Sequence, residues 1–337
     1  VQTPAALDLI ARFGHDRRQR VVTALLRAWP RFDPDAYARS VLADSPLEHG
    51  QLTIGDVQLV PGLPHLRHLT SLCCKFSCED LAFVQHLPGL RELDLSFAPA
   101  VRSLAGLAHH PSLSGLDLGP YPSLPDLTPL RHLVGLRWLM LWKCGPLPDP
   151  ESLTDQLAGL TQLHNISFTD VDSHWLCQEL LPQLPAITYL GLRQRHTAIP
   201  IVDLIQALGD NPIKGLYLFG GALPDDLQAL NHWADTLSQL NLADSPIQDL
   251  RQLRHLHQLE FLNLTATPVI DLAPLTSLPR LTSLHLHHMT HTVDLTPLAG
   301  RAGLTVYVSS RRQITGATNL GPGVKIKHWK TWKDETE

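Results

Sequence analysis

The sequence predicts an α/β solenoid: a curved parallel sheet of about twelve strands, with short helices and 3₁₀ turns on the convex side and a small helical cap at the N-terminus. Three observations predict it. Leucine supplies 66 of the 337 residues, while the apolar total is an ordinary 44%. The pattern Leu-x-x-Leu-x-Leu recurs, as in Leu90-x-x-Leu93-x-Leu95, Leu136-x-x-Leu139-x-Leu141 and Leu281-x-x-Leu284-x-Leu286. Its third apolar position falls at residues 54, 74, 95, 118, 141, 168, 192, 218, 242, 264, 286 and 308, at intervals of 20 to 27. An amphipathic helix also spaces leucines three apart, but it does not renew a Leu-x-Leu alternation at a fixed period.

Taken in order, residues 1–49 lack the repeat and read as a helical linker or cap. Ala5–Phe13 and Arg17–Trp29 carry apolar residues at helical spacing, and Asp33-Pro34 supplies an N-cap and first-turn proline for a third helix through Leu42. Residues 50–308 are the array, whose period is that of leucine-rich repeats. Each Leu-x-Leu is a short strand with alternate side chains inward, and one repeat needs its neighbours to bury them. The short repeats carry Asp-Leu-x-Pro-Leu at 126–130, 271–275 and 294–298, which suits the start of a helix or 3₁₀ turn. Longer middle repeats have room for helices at Glu151–Leu160, Ser173–Leu181, Ile201–Leu208 and Asp225–Leu237. The turn site three residues past the last inward position holds no Asn, so this edge is expected to be irregular. Residues 309–337 read as a C-terminal cap and tail, with Val324–Lys327 as an edge strand.

The same alternation picks out the residues facing outward on the concave side. Trp138, Met140, Trp142, Tyr189, Tyr217, Phe219 and Phe261 place apolar surface on the middle strands, with Arg193 among them. Aromatic and arginine side chains are enriched where binding energy concentrates. Glu92, Asp94 and Asp117 form an acidic zone beside them. A protein or peptide with an apolar anchor and a basic flank fits such a face; the alternative is that the aromatics only cover the sheet.

Other functions are disfavoured. A net charge of −5 argues against a general nucleic-acid binder, although Arg311, Arg312, Lys325 and Lys327 make a basic corner. No apolar run is long enough to span a membrane. Five irregularly spaced cysteines point to a reducing, cytoplasmic setting. His285 and His287 share a strand face near His288 and His291, and Cys73-Cys74 lies near Cys78, but neither group completes a metal ligand set, so no metal is expected. Catalytic and nucleotide-binding motifs are absent, so no catalytic residue and no cofactor is expected in this chain.

Finally, Trp29-Pro30-Arg31-Phe32-Asp33-Pro34-Asp35-Ala36-Tyr37-Ala38-Arg39-Ser40-Val41-Leu42-Ala43 runs directly into the repeats. It resembles the segment that joins the NTPase module to the leucine-rich repeats in bacterial, especially actinobacterial, NACHT-type NLR-like STAND proteins. That resemblance implies a sensor domain binding a protein or peptide, phage-derived in members that act in defence, with ATP bound by an upstream NTPase module. The chain opens at Val1 rather than methionine and is expected to be a piece of such a protein. A stand-alone cytoplasmic repeat scaffold and a secreted internalin-like adhesin are the alternatives.

Overall fold

The structure, a computed structural model, describes residues 3–77, 79–98, 101–108, 110, 112–119, 126–141 and 149–328. The chain divides into two compact units, Val1–Leu163 and His164–Glu337. The first holds β1 (Gln51–Ile54), β2 (Ser71–Cys74), β3 (Glu92–Asp94), β4 (Gly115–Leu118) and β5 (Trp138–Leu141), each pairing in parallel with the next. Its register is set by the repeat, so that Leu72, Leu93, Leu116 and Leu139 stand side by side. All four are fully buried. Removing one such side chain costs about 3–5 kcal/mol, because the rigid neighbours collapse only partly into the cavity.

Ahead of β1 stand α1 (Pro4–Ala11), α2 (Gln19–Ala28) and α3 (Pro34–Tyr37), the last running on through a π-helical turn over Ala38–Leu42. Asp33 caps α3 by accepting from the Ala36 amide at 2.8 Å, with Pro34 in the first turn, as the sequence suggests. Trp29 and Tyr37 pin these helices together: Trp29 Nε1 donates to the Pro34 carbonyl and Tyr37 Oη to that of Leu25, both at 2.9 Å. Gly62, in the 3₁₀ segment Val57–His65 of the first repeat, lets them come close. A Cβ there would overlap the Pro34 carbonyl, and its other near neighbours are the Trp29 ring and Ala38.

The second unit continues the pattern with β6 (Asn165–Thr169), β7 (Tyr189–Arg193), β8 (Gly215–Phe219), β9 (Gln239–Asn241), β10 (Phe261–Asn263) and β11 (Ser283–Leu286). It adds β12 (Val293–Asp294), β13 (Leu304–Val308), β14 (Ile314–Thr315) and β15 (Val324–His328). β11, β13 and β15 pair in parallel, while β12 and β14 form a separate small ladder. Apart from that ladder, the described strands of the two units number thirteen, the twelve expected plus the edge strand at Val324.

The returning segments are mostly 3₁₀ turns. Asp126, Asp271 and Asp294 each accept from the amide two residues on, at 2.8–2.9 Å, and so start the turns at Thr128, Ala273 and Thr296. True helices form at α4 (Pro150–Leu157) and α5 (Ile201–Leu208). Two expected helices differ. Over Trp175–Leu180 the chain widens to a π-helix, which buries Trp175, Leu176, Cys177 and Leu180 together. Leu227–Trp233 is a 3₁₀ segment without a side-chain cap of its own, because the Asp226 carboxylate instead accepts the Ile201 and Val202 amides that open α5. At the turn sites lacking Asn, Ser245 and Thr267 donate their hydroxyls to the Leu242 and Leu264 carbonyls at 2.6 and 2.7 Å.

Candidate functional site

In the first unit the register brings Cys73, Asp94, Asp117 and Met140 into one row across β2–β5. Glu92, Gly115 and Trp138 form the row beside it. Trp138 is half-buried because it lies on Gly115: a Cβ at that glycine would overlap the indole. Glu92, Asp94, Asp117, Cys73 and Trp138 thereby line a depression of about 280 Å³.

The electrostatics of this depression are set by two carboxylates on directly opposed positions of neighbouring strands, an arrangement that disfavours double ionisation. Asp94 Oδ1 accepts the Ser96 amide at 2.8 Å. Asp117 Oδ1 is buried and meets no hydrogen-bond donor among the described residues. Burial first, and then the charge of Asp94, push the Asp117 carboxyl up to about 7. Burial and the adjoining Asp94 likewise push the Cys73 thiol up to about 11, which keeps it protonated and unreactive at neutral pH. A cation entering the depression would relieve the repulsion that the sheet imposes.

The second unit faces water with rings. Tyr189 lies on Gly215, its cross-strand neighbour, whose Cβ would overlap the phenol ring. Tyr217 Oη donates to Gln239 Oε1 at 2.5 Å, and burial, followed by Tyr189, raises its pKa. The Arg193 guanidinium sits 5.8 Å from the centre of the Phe219 ring, within cation–π range. Gly220, at φ 105°, leaves room for that side chain, since a Cβ there would stand 2.7 Å from Arg193 Cγ. Each of these four outward side chains is half-buried and fixed by its neighbours rather than waving in solvent.

Phe261 does not join that group. It packs on His285 at 4.9 Å, and His285 packs on Tyr307 at 4.4 Å, with Lys327 Nζ 5.8 Å from the Tyr307 ring. His287 is only 5% exposed; burial first, and then the charges of His285 and His288, hold its pKa down to about 4. The two imidazoles are thus members of an aromatic row. Among the described residues no group of three or more histidine, cysteine or acidic side chains is placed to hold a metal ion. Tyr307, His285 and Lys327 are the residues that sequence reasoning leaves out of the site. Their signal is the 22-residue step that puts His285 and Tyr307 in register, with Lys327 beside them on β15. Trp142 and Cys78 lie outside the described residues.

Solved structures similar to the chain come from several sources. One is an internalin of Listeria monocytogenes, 19% identical with a TM-score of 0.50, covering 98% of this chain and 100% of that one. Another is the TLR13–ssRNA13 complex, 16% identical with a TM-score of 0.51, covering 89% of this chain but 52% of that one. A leucine-rich-repeat protein of Leptospira interrogans is 17% identical with a TM-score of 0.38, over 85% of this chain and 80% of that one. No family model and no curated protein matches the chain. The fold is a leucine-rich-repeat solenoid.

Proposed function

We propose that the chain is a non-catalytic recognition module that binds a protein or peptide on the outward face of its sheet. The observation that carries this reading is the seating of the second-unit rings. Tyr189 on Gly215, Tyr217 on Gln239 and Arg193 over Phe219 form a preformed amphipathic surface on rigid strands. Such a surface binds at little ordering cost. An apolar side chain of the partner lies against Tyr217 and Phe219. In the first unit, a lysine or arginine of the partner enters the depression at Glu92, Asp94 and Asp117, beside Trp138 and Met140.

The finer reading is a ligand-sensing domain of an NLR-like STAND NTPase that acts in the cytoplasm, with a phage-derived protein as ligand. The joining segment Trp29–Ala43 supports it, since it resembles that family's connection to its repeats. ATP belongs to the NTPase module in that reading. No described helix is long and apolar enough to cross a membrane. A nucleotide-binding module encoded upstream of Val1 would support the sensor. An initiator codon at that point would favour the stand-alone scaffold, and a signal peptide with a surface anchor the adhesin.

The surface itself is tested by capture on immobilised protein from uninfected and phage-infected lysates, comparing the native chain with Arg193→Ala/Phe219→Ala. A specific partner should be lost at least tenfold in the variant, as for a hot-spot pair, with thermal unfolding nearly unchanged. Equal capture by both proteins would remove the second-unit face from the reading.

A further inference from the structure

The helices ahead of the first repeat carry a surface that sheet-face binding does not use. Between positions 12 and 31 the chain has six arginines and a single acid, Asp16, although the whole chain is net acidic. Asp16 is taken up by Arg18, which it holds through its carboxylate. Arg20, Arg27 and Arg31 are exposed and form no ion pair among the described residues.

Helix geometry places them together. At about 100° per residue, Arg20, Ala24 and Arg27 fall within about 60° of one another. The buried anchors Val22, Leu25 and Trp29 fall on the opposite side. Thr23, Ala24 and Ala28 form a low floor between the arginines, and the result is a depression of about 440 Å³ along α2. Positions 20, 24 and 27 step by four and three, the spacing of a helix–helix seam, and Arg31, in the 3₁₀ turn that follows α2, lines the same depression.

We propose that this face of α2 docks an acidic helix of a partner protein. Small floor residues let a second helix approach to about 8 Å. The arginines at the margins then reach carboxylates on its flanks, where the guanidinium fork binds bidentately. The chemistry favours a protein helix over the other polyanions. An anionic membrane takes up a helix by its large apolar side chains; of those on α2, Val22 and Leu25 are buried, Val21 and Leu26 are half-buried, and none lines the arginine depression. A single-stranded nucleic acid stacks its bases on aromatic rings, and none lines this depression.

The test uses the full chain and a labelled three-heptad peptide helix with an Ala/Leu seam, flanked by Glu, beside the same peptide with Gln. Fluorescence anisotropy at low salt should show the Glu peptide binding about tenfold more tightly, three exposed ion pairs acting together. The preference should vanish in Arg20→Glu/Arg27→Glu/Arg31→Glu and reverse in favour of a Lys-flanked peptide. Arg20→Ala and Arg27→Ala, made singly, should each weaken the Glu peptide about threefold and guard against misfolding of the triple variant. Equal affinity for the Glu and Gln peptides overturns the proposal. So does tighter, arginine-dependent binding of a DNA duplex or of phosphatidylserine vesicles, or salt-sensitive dimerisation of the chain through these arginines.

Discussion

The two units share one way of burying leucine and differ in what they lay over the sheet. In the first, Asp94 and Asp117 oppose each other beside a tryptophan. In the second, Phe261, His285 and Tyr307 pack ring to ring across neighbouring strands, and Tyr217 donates to Gln239. The difference shows most clearly towards protons. Asp117 has its pKa raised from 3.8 to about 7 by burial and by Asp94, so the folded state holds a proton that the unfolded chain releases. Its environment favours folding at low pH, and that stability drains away as pH rises from about 4 to 7. His287 has its pKa lowered from 6.5 to about 4. The unfolded chain takes the proton first, so stability is lost as pH falls from about 6.5 towards 4. A repeat scaffold therefore carries opposite pH responses, decided by the residues between the leucines.

The largest expected effects come from prising the rings off the sheet. Gly115→Val in the first unit and Gly215→Val in the second each insert side-chain atoms where Trp138 and Tyr189 lie. Each should destabilise by about 1–3 kcal/mol through overpacking, read as a shift in urea midpoint. The comparison is sharpened by cycles with Trp138→Ala and Tyr189→Ala: if the ring is the obstacle, removing it relieves most of the glycine substitution's cost. Independent, additive losses would show that the rings do not rest on these glycines. The first unit should suffer more, because a Cβ at Gly115 would stand 2.0–2.3 Å from three indole atoms, against 2.3 and 2.7 Å from the Tyr189 ring at Gly215.

Next come the two proton-linked sites. Asp117→Asn should raise stability at pH 8 by about 1 kcal/mol, discounted for the water that reaches one side of the carboxyl. The gain should fade by pH 4, where the native carboxyl is protonated. His287→Leu should flatten the loss of stability between pH 6.5 and 4 while leaving the neutral-to-alkaline side unchanged. Unfolding midpoints across pH for the native chain and both variants decide it. If Asp117→Asn flattened the acid side instead, the assignment of opposite responses to the two units would be wrong.

Strand positions were legible in the sequence because inward leucines recur at one place in every repeat; all twelve expected inward positions, from Ile54 to Val308, are buried. The covering of the sheet was only partly legible. Trp138 and Tyr189 are recognisable as outward-facing, but their seats, Gly115 and Gly215, lie a full repeat away in the chain. No local pattern links such pairs. Likewise, Asp226 looks like the cap of its own segment and instead caps α5, one repeat earlier. Local rules read φ, ψ and nearest neighbours; a solenoid also uses contacts one period apart, and these become visible only when the repeats are aligned in register.

The turns make the same point and yield the smallest effect. Searching three residues past the last inward position for Asn misses the constrained residue, which sits one position earlier. Asp170, Gly220, Asp244, Ala266 and His288, all in the second unit, occupy that position at φ of 50, 105, 56, 55 and 53°. Asp and His tolerate left-handed backbone better than most residues, and glycine adopts it freely. Alanine is the poor fit, yet the Ala266 amide must keep its 2.8 Å bond to the His287 carbonyl. Ala266→Gly should therefore stabilise the protein by about 0.5–1 kcal/mol, the relief of a strained Cβ less the extra freedom of glycine in the unfolded chain. By contrast, Ala105→Gly, in a right-handed 3₁₀ turn of the first unit, should destabilise the protein. A rise in thermal midpoint for the first and a fall for the second would tie the gain to the left-handed backbone at Ala266. A fall in both would mean that Ala266 is not strained.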